Sequence, residues 1–462
     1  MFPVGKIAAV VGGRLIRGDA TAPTRIVHDS RAVREGDLFV ALRGRRVDGH
    51  TFLTDAFERG ACGALVSNPS LVPDARNVIV VDDVLAALQR LAGAWRGSLG
   101  ATIVGITGSN GKTTTRALLA HLLREDPAEA TVFSAPKNYN TEIGLPLALL
   151  AMPPTASIGL FELGAERPGD IPPLADLLSP QIGLITSIGP SHLDGLRTVA
   201  AVATEKWALV ERLPSDGLAV LNADSPHLRA RLAETPCRCL TVGLEHGRIR
   251  GRIVREVPRL VVGVDDPPLR LDCPLIGRLN ATNLLLAAGT AHQLGVPTEA
   301  IERRAQTFDP VPHRFQPVTA PFGTILDDTY NANPASTAGA LRTLARLGGR
   351  QTRRVFVFGE MRDLGLDADR YHREILDLAV ELNVDLIVPV GERATAACRE
   401  RPSPSVALVE GGQVADAVRR FCQAGEEALV LVKGSRALEL ERLVDRIVGG
   451  GSSSQGPLRA PT

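Results

Sequence analysis

Residues 101–115 read ATIVGITGSNGKTTT, a β-branched run that is followed by a glycine turn and the start of a helical pattern. A strand, a glycine turn and a helix in this order aim free backbone N–H groups and a helix N-terminus at phosphate. Lys112 adds a positive charge for the β- and γ-phosphates, and the Thr113 hydroxyl can hold Mg²⁺. The stretch therefore predicts a nucleoside triphosphate site. Its loop residues are Gly108, Ser109, Asn110, Gly111, Lys112, Thr113 and Thr114.

This loop departs from the strict phosphate-loop pattern at one position. The pattern G-x-x-x-x-G-K-[ST] has glycine where Ile106 stands. An ordinary strand-to-helix turn that happens to contain Gly-Lys-Thr is the alternative. The run before the loop and the amphipathic helix after it, with leucines at 118, 119, 122 and 123 on its inner side, favour the phosphate loop.

Composition bounds the class of protein. The chain has 462 residues, enough for about three domains of roughly 150 residues each. Its 44% hydrophobic residues, 22% charged residues and net charge of +1 are typical of a globular protein and select neither nucleic acid nor an anionic membrane as partner. The six scattered cysteines match no zinc or redox spacing, the N-terminus is a poor signal peptide, and no apolar run approaches about 18 residues. We expect a cytoplasmic protein without membrane insertion.

Short apolar runs divide the chain into three blocks, 1–99, 100–313 and 314–448, with the proline-rich stretch 309–317 as the second joint. Helical patterns lie between many of the runs in the last two blocks, which predicts α/β units with parallel sheets. The tail 449–462, GGGSSSQGPLRAPT, has nothing to bury and should be disordered. The strand-like runs are 37–42, 63–67, 77–81, 101–107, 157–162, 183–187, 217–221, 323–327, 354–358, 385–390 and 428–432.

Polar groups stand at or after the ends of two runs in the middle block. Glu162 ends an apolar run, and a buried carboxylate needs a cation or strong donors. Mg²⁺ opposite the phosphate loop would satisfy it, since Mg²⁺ takes carboxylates together with phosphate oxygens; a structural salt bridge is the alternative. His192 and Asp194 follow the next run, and ligands collect at the carboxyl ends of parallel strands. We therefore predict that His192 lies at the same site, with a purely structural histidine as the alternative.

Lys206 lies in the middle of the apolar face of a predicted helix. At about 100° per residue, the apolar residues Val199, Val202, Ala203, Leu209, Val210 and Leu213 fall within about 60° of it. The other side carries Thr204, Glu205, Ala208, Glu211 and Arg212. Such a lysine either extends its amine to solvent along an apolar stem, or is buried with a lowered pKa and a neutral amine available for chemistry.

Ordered motifs along almost the whole chain resemble those of the Mur ligases, ATP-dependent amide-forming enzymes of peptidoglycan synthesis. In the first block, DSRAVREGDLFVALRG (29–44) and DGHTF (48–52) resemble the uridine-nucleotide-binding domain of the branch that adds D-alanyl-D-alanine, and of its nearest sister. Each motif is moderately specific, whereas their order and spacing together are very specific. The other matching segments are TGSNGKTTT (107–115), NYNTEIGLP (138–146), FELGA (161–165), SHLDGL (191–196), EKWALVE (205–211), LNAD (221–224), GRLNATNLLLAAG (277–289), PHRFQ (312–316), DDTYNANPAS (327–336), VFGEMRDLG (357–365) and LVKGSR (431–436).

The resemblance implies a fold and a set of residue roles. The fold is α/β in three domains: a small mixed uridine-nucleotide-binding domain, a central P-loop ATPase-type parallel sheet with helices, and a C-terminal Rossmann-like domain. The implied catalytic residues are Lys112, Glu162, His192 and Lys206. The implied ligands of two Mg²⁺ ions are Thr113, Glu162, His192 and Lys206, the last as a carbamate formed with CO₂. The implied ATP contacts beyond the loop are Asn283, Arg314 and Asp328. The implied dipeptide contacts are Tyr330, Asn331 and Asn333. The implied contacts with the UDP-substrate are Ser30, Arg31, Asn138 and Thr141.

Asn333 and Leu279 are two matching positions with a further feature each. Asn333 before Pro334 also reads as a helix N-cap followed by the first helical residue, and both roles are compatible. Leu279 stands where the family usually has histidine, so any nucleotide contact made by that histidine is missing here.

The implied reaction is that of an ATP-dependent acid–D-amino-acid ligase, acting as a monomer. ATP phosphorylates the terminal carboxylate of UDP-N-acetylmuramoyl-tripeptide, and the amine of D-alanyl-D-alanine attacks the acyl phosphate to give the pentapeptide. The sister ligase that adds a diamino third residue is an alternative, but its DNPR-type segment is not visible here and DDTYNANPAS is. A folate polyglutamate ligase would lack the first block. A non-catalytic nucleotide-binding subunit would not need Lys112, Glu162, His192 and Lys206 intact.

Overall fold

The computed structural model describes residues 1–16, 21–44, 47–72, 77–124, 132–136, 139–423 and 427–449. Asn138 and the tail beyond Gly449, both subjects of sequence-based predictions, lie outside these residues. The described chain forms three separate sheets flanked by helices, which confirms the prediction of an α/β fold with three units. The domain boundaries stay a prediction. No helix in the described ranges is long and apolar enough to cross a membrane.

The N-terminal unit is built on a five-stranded sheet in the order β1-β5-β4-β3-β2, in which only β1 is antiparallel to its neighbour. Its last helix begins at the N-cap Asp83 and packs its buried face, including Leu91 and Trp95, against the central unit. The elements are α1 (Val4–Val11), β1 (Arg14–Ile16), β2 (Ile26–Val27), β3 (Leu38–Val40), α2 (Leu53–Glu58), β4 (Gly63–Val66), β5 (Asn77–Val80) and α3 (Val84–Gly97).

The central unit has a nine-stranded sheet in the order β14-β13-β12-β11-β10-β9-β6-β8-β7. In this sheet order, every pair of neighbours from β12 to β7 is parallel. The pairs β12–β13 and β13–β14 are antiparallel. The elements are β6 (Thr102–Thr107), α4 (Lys112–Leu122), β7 (Val132–Ser134), α5 (Gly144–Leu150), β8 (Ile158–Glu162), α6 (Ile171–Leu178), β9 (Ile182–Ile185), α7 (Leu193–Leu196), α8 (Val199–Glu211), β10 (Leu218–Asn222), α9 (Pro226–Arg229), β11 (Arg238–Gly243), β12 (Ile249–Arg255), β13 (Leu260–Val264), β14 (Leu269–Cys273), α10 (Arg278–Gln293) and α11 (Thr298–Gln306).

The C-terminal unit has a five-stranded sheet in the order β15-β16-β19-β17-β18, parallel except for the edge strand β15. Asp328 at the end of β16 pairs in register with Lys433 at the end of β19. The elements are β15 (Gln316–Ala320), β16 (Gly323–Asp328), α12 (Pro334–Arg346), β17 (Arg353–Gly359), α13 (Ala368–Glu381), β18 (Leu386–Val390), α14 (Glu392–Glu400), α15 (Val414–Gln423), β19 (Ala428–Lys433) and α16 (Glu441–Gly449).

All of the predicted strand-like runs form strands, with ends within about two residues of those predicted. The strands β1, β2, β7 and β11–β15 were not predicted. On β12, exposed Arg250 and Arg252 alternate with buried or half-buried residues, so the strand lacks an apolar run. β15 contains Pro317 within the proline-rich joint, a residue that an edge strand tolerates because one side of it needs no ladder partner.

Helix α8 is buried around more of its surface than the sequence predicts. Glu205 and Ala208, which were assigned to the polar side, are both buried. The Glu205 carboxylate accepts the backbone N–H groups of Gly169 (2.7 Å) and Ile171 (2.6 Å) at the start of α6. The prediction was wrong for Glu205 because a carboxylate that satisfies another helix's free N–H groups is buried without being apolar. It was wrong for Ala208 because this small apolar residue packs in the core.

Candidate active site between the central and C-terminal units

The phosphate loop is shaped by two glycines that nothing else could replace. Gly111 has φ +88°, and a Cβ at this position would lie 2.2 Å from Oδ1 of Asn283. A Cβ on Gly108 would lie 1.9 Å from Oγ1 of Thr186. The backbone therefore follows its neighbours too closely for a side chain, and α4 begins at Lys112 directly after the loop.

The loop is held in place by the segment after β9. The backbone N–H of Asn110 donates to Oγ of Ser187 (2.9 Å), and Oγ1 of Thr186 donates to the Asn110 carbonyl (2.5 Å). Lys112 folds back so that its Nζ donates to the Gly108 carbonyl (2.6 Å). Burial lowers the pKa of Lys112, and the nearby Glu162 carboxylate opposes that shift. The loop is thus a preformed cradle with its cation already inside it.

Glu162 has the partner that sequence reasoning missed. Its Oε1 accepts from Nε of Arg116 (2.8 Å), and Oγ1 of Thr113 donates to its Oε2 (3.2 Å). Arg116 also donates through Nη1 to the Ala135 carbonyl after β7 (2.5 Å). The structural salt bridge considered from the sequence is therefore present. It occupies one oxygen of Glu162 and leaves the other facing the loop threonine.

His192 and Lys206 line the same wall as Lys112. His192 is held at φ +52°, in the left-handed region, immediately before α7. Burial and the positive charges of Lys112 and Lys206 lower its pKa to about 4, so the imidazole is neutral at pH 7. Lys206 is 1% exposed, and burial together with Lys112 lowers its pKa to about 7. Of the two interpretations of Lys206, the extended snorkelling side chain is excluded.

The C-terminal unit contributes a cationic cluster. Arg314 is half-buried, donates through Nη2 to Oγ1 of Thr113 (3.3 Å) and lies over the Tyr330 ring at 3.7 Å. Burial lowers the pKa of Arg314, and the nearby Tyr330, Asp328 and Glu162 oppose that shift. Asp328 accepts from Nζ of Lys433 (2.6 Å), a fully buried lysine whose role the sequence analysis did not assign. The signal was available, because Lys433 ends an apolar strand as Glu162 does.

The segment that follows β16 lies against the phosphate loop. Asn333 caps α12 with a capping box that it shares with Ser336, which confirms the predicted N-cap. Its carboxamide also bonds to that of Asn110. The carbonyl of Asn331 accepts from Lys433 (2.9 Å). Arg314, Asp328, Tyr330, Asn331 and Asn333 thus line one cleft of about 350 Å³ with the loop residues.

Residues of α10, including Asn283 and Leu279, also line this cleft. Asn283 packs under Gly111 and accepts from Oγ1 of Thr115 (3.3 Å), so it supports the loop as well as lining the cleft. Leu279 is 46% exposed, lines the cleft and contacts Gly339 of α12. The position that usually holds histidine therefore presents an apolar surface here.

A second, larger cleft of about 1090 Å³ runs between the N-terminal and central units. Thr141 lines it, whereas Ser30 and Arg31 do not: Ser30 is buried, and Arg31 pairs with Asp29 (2.8 Å). Residues that the sequence did not single out also line it, including Arg43, Ser67, Asp82, Asn140, Glu166 and Arg167. No spacing rule signals them, because they come from loops of two units that meet only in the folded chain.

The donor set fits Mg²⁺ that is bound together with phosphate. Among the described residues no group of three or more His, Cys, Asp or Glu side chains could hold a metal. A hydroxyl, one carboxylate oxygen and a neutral imidazole are nevertheless available at Thr113, Glu162 and His192. Mg²⁺ usually takes one or two protein carboxylates and completes its shell with phosphate oxygens and water, so this sparse set is appropriate.

This geometry, a phosphate loop opposed by a cationic second α/β unit, defines an ATP-dependent ligase of three units. Sequence models for the Mur ligase family, catalytic domain (residues 24–96), the Mur ligase middle domain (106–291) and the Mur ligase, glutamate ligase domain (313–436) match the chain. The chain belongs to the Mur ligase family.

The chain is also similar to individual proteins and solved structures. The UDP-N-acetylmuramoyl-tripeptide--D-alanyl-D-alanine ligase of Bacillus subtilis strain 168 is 30% identical, over 96% of this chain and 98% of that protein. The structure of MurF from Acinetobacter baumannii superposes with a TM-score of 0.87 at 26% identity, covering 97% of this chain and 99% of the other. The structure of MurF ligase from Thermotoga maritima in complex with ADP superposes with a TM-score of 0.82 at 27% identity. It covers 92% of this chain and 97% of the other.

Proposed function

We propose that this chain is the ligase that adds D-alanyl-D-alanine to UDP-N-acetylmuramoyl-tripeptide in peptidoglycan synthesis, with ATP as the energy source. The observation that carries the proposal is that the two clefts converge. Lys112, Asn140, Thr141, Glu166 and His192 line both of them. A substrate in the larger cleft can therefore bring its terminal carboxylate to a phosphate held on the loop, which is the geometry that carboxylate activation needs.

Activation would proceed by phosphoryl transfer. The tripeptide carboxylate attacks the γ-phosphate, ADP leaves, and an acyl phosphate forms. Lys112 on the loop and Arg314 from the C-terminal unit supply positive charge on opposite sides of the transferring group. Thr113, Glu162, His192 and Lys206, the last as a carbamate, would hold two Mg²⁺ ions, which supply further charge neutralisation at the phosphates.

The carbamate on Lys206 is part of this proposal. A neutral lysine amine attacks CO₂, forms an N–C bond and releases one proton, which turns the neutral amine into an anionic oxygen ligand. The buried site and the pKa of about 7 leave a substantial share of the amine neutral at pH 7. The carboxylate of Glu205, its neighbour in sequence, is occupied by two backbone N–H groups and is not free to pair with it.

The second step would take place on the side of the C-terminal unit. The amine of D-alanyl-D-alanine attacks the acyl carbon, the peptide bond forms, and phosphate leaves. We assign Tyr330, Asn331 and Asn333 to the dipeptide site because they border the cleft opposite the loop. Asn283 and Asp328 would serve the nucleotide. Thr141 would contact the UDP-substrate, and Ser30, Arg31 and Asn138 stay predictions for it.

We also propose that the enzyme works as a monomer, since residues of this chain line both clefts. Its substrates, ATP and a UDP-linked precursor, belong to the cytoplasm, and we infer that location for the chain.

The assay that tests the proposal measures phosphate release with ATP, Mg²⁺, UDP-N-acetylmuramoyl-tripeptide and D-alanyl-D-alanine. We expect release to match the formation of pentapeptide by mass spectrometry, and to stop when the dipeptide is omitted. Release with the UDP-dipeptide and a diamino acid, but not with the tripeptide pair, would assign the chain to the sister activity. The absence of phosphate release with every acceptor would identify a non-catalytic subunit.

A further inference from the structure

Two asparagine side chains join the phosphate loop to the C-terminal unit. Nδ2 of Asn333 donates to Oδ1 of Asn110 at 2.8 Å, and Nδ2 of Asn110 donates back to Oδ1 of Asn333 at 3.3 Å. A carboxamide has an acceptor oxygen and two donor hydrogens, so two of them can bond in both directions. The pair therefore connects the loop that holds ATP to the segment that borders the dipeptide site.

The backbone beneath each asparagine is fixed. The N–H and carbonyl of Asn110 are bonded to Ser187 and Thr186 after β9. Asn333 is 7% exposed, and its capping box with Ser336 sets its position at the start of α12. Because both ends are anchored, the two hydrogen bonds form only when the loop and the start of α12 are at this spacing.

The C-terminal unit also holds the turn that follows His192. The backbone N–H of Leu193 donates to the Asp363 carbonyl (2.7 Å), and that of Gly365 donates to Oδ1 of Asp194 (2.5 Å). The unit thus docks beside the phosphate site through the amide pair, this turn and the bond from Arg314 to Thr113. Among the hydrogen bonds of the described residues, the amide pair is the one that joins the phosphate loop to the start of α12.

We propose that Asn110 and Asn333 are a positioning pair that couples occupancy of the phosphate loop to the affinity of the dipeptide site. This inference rests on the proposed function. A nucleotide that contacts both the loop and the C-terminal unit favours the docked arrangement, in which the amide pair is formed and the dipeptide segment is in place. By thermodynamic linkage, the dipeptide then strengthens nucleotide binding by the same factor.

The coupling is measured by calorimetry on the full chain with the UDP-tripeptide present. The dissociation constant of D-alanyl-D-alanine is determined with and without ADP–Mg²⁺, which cannot support turnover, and the ratio is the coupling factor. We expect a wild-type ratio on the order of 5 to 150, the usual range for coupled sites. Asn110→Ala should bring the ratio to within about twofold of one.

A second variant separates the pair from the cap. Asn333→Ser keeps a good N-cap but is too short to reach Asn110, so it should lose coupling as Asn110→Ala does. The double variant should lose no more than either single variant. Ser336→Ala is the matched control, because it weakens the capping box and lowers the melting temperature while leaving the amide pair, and hence the coupling factor, unchanged.

Three results would overturn the pairing. They are wild-type coupling in Asn110→Ala, a much larger loss in the double variant, or an equal loss of coupling in Ser336→Ala. Wild-type protein that releases phosphate with the dipeptide but has a coupling factor of one would overturn this inference alone. Wild-type protein that does not turn over the dipeptide would instead refute the proposed function.

Discussion

At the scale of the residue, Lys206 shows how burial prepares a side chain for chemistry. It lies among apolar residues of α8 with its amine at the wall of the larger cleft, beside His192 and Lys112. The loss of water and the positive charge of Lys112 both disfavour its protonated form, and the Glu205 carboxylate opposes them. An ordinary surface lysine would be charged and unreactive towards CO₂ at neutral pH.

We predict that Lys206→Ala lowers turnover at least about 100-fold, since even indirect partners of a metal ligand are often worth 10 to 100-fold. Short carboxylates such as formate or acetate should partly restore turnover by entering the vacated space. Lys206→Met is the control, because it fills the same volume without a ligand atom and should be inactive with or without acetate. Near-normal activity in Lys206→Ala without added carboxylate would remove the carbamate from the mechanism.

Glu162 is a buried carboxylate with two polar partners. The sequence left a metal and a salt bridge open as alternatives. The structure shows the salt bridge with Arg116, and the metal stays a prediction. Arg116 occupies one oxygen, and the other faces Thr113. Arg116 lies one helical turn after Lys112 on α4, but nothing in the local sequence says that β8 lies beside that turn.

At the scale of the element, α8 is the helix that presents Lys206 to the cleft. It begins at Thr198, whose Oγ1 accepts the backbone N–H of Ala201 at 3.1 Å. The other polar anchor is Glu205, which joins α8 to the start of α6. The position of the reactive amine therefore depends on a cap and on a helix-to-helix contact.

We predict that Thr198→Ala destabilises the central unit by about 0.5–2 kcal/mol, the usual cost of losing an N-cap oxygen. The melting temperature of that unit should fall by about 2–4 °C for each kcal/mol, as measured by calorimetry. Thr198→Ser, which retains the oxygen, is the matched control and should melt close to wild type. An unchanged melting temperature in Thr198→Ala would mean that packing alone fixes the start of α8.

At the scale of the whole molecule, the C-terminal unit is docked over the phosphate loop through polar contacts and an apolar contact that includes Ile276. Asp194, an exposed residue of α7, accepts the backbone N–H of Gly365, and Asn110 pairs with Asn333. Such contacts can break and re-form, whereas the apolar packing of α3 against the central unit joins the first two units more firmly. The joint at 309–317 lies between the two units that the polar contacts hold together.

We predict that Asp194→Ala increases the fraction of molecules with an undocked C-terminal unit. Small-angle X-ray scattering should show a larger radius of gyration, and limited proteolysis should cut the 309–317 joint a fewfold faster, in line with the loss of about 1 kcal/mol from one hydrogen bond. Asp194→Asn keeps an acceptor oxygen and should behave as wild type. Identical scattering curves for the alanine variant and wild type would show that this contact does not hold the unit.

The phosphate loop, the helix after it, the N-cap at Asn333 and the central strands of the three sheets could be predicted from the sequence alone. Each of these depends on interactions within a few residues: glycine conformation, side-chain periodicity, and caps next to their own helix. The order of the motifs also indicated the family. Local signals of this kind need no knowledge of what lies opposite.

Only the tertiary structure decided which residues meet. It placed Arg116 on Glu162, Lys433 on Asp328 and Asn333 on Asn110, the last across 223 positions of sequence. It also left Ser30 and Arg31 outside the larger cleft, although their motif matched. A buried polar group is satisfied by whichever donor or acceptor the fold brings within about 3 Å, and that choice is made by the packing of whole units rather than by spacing along the chain.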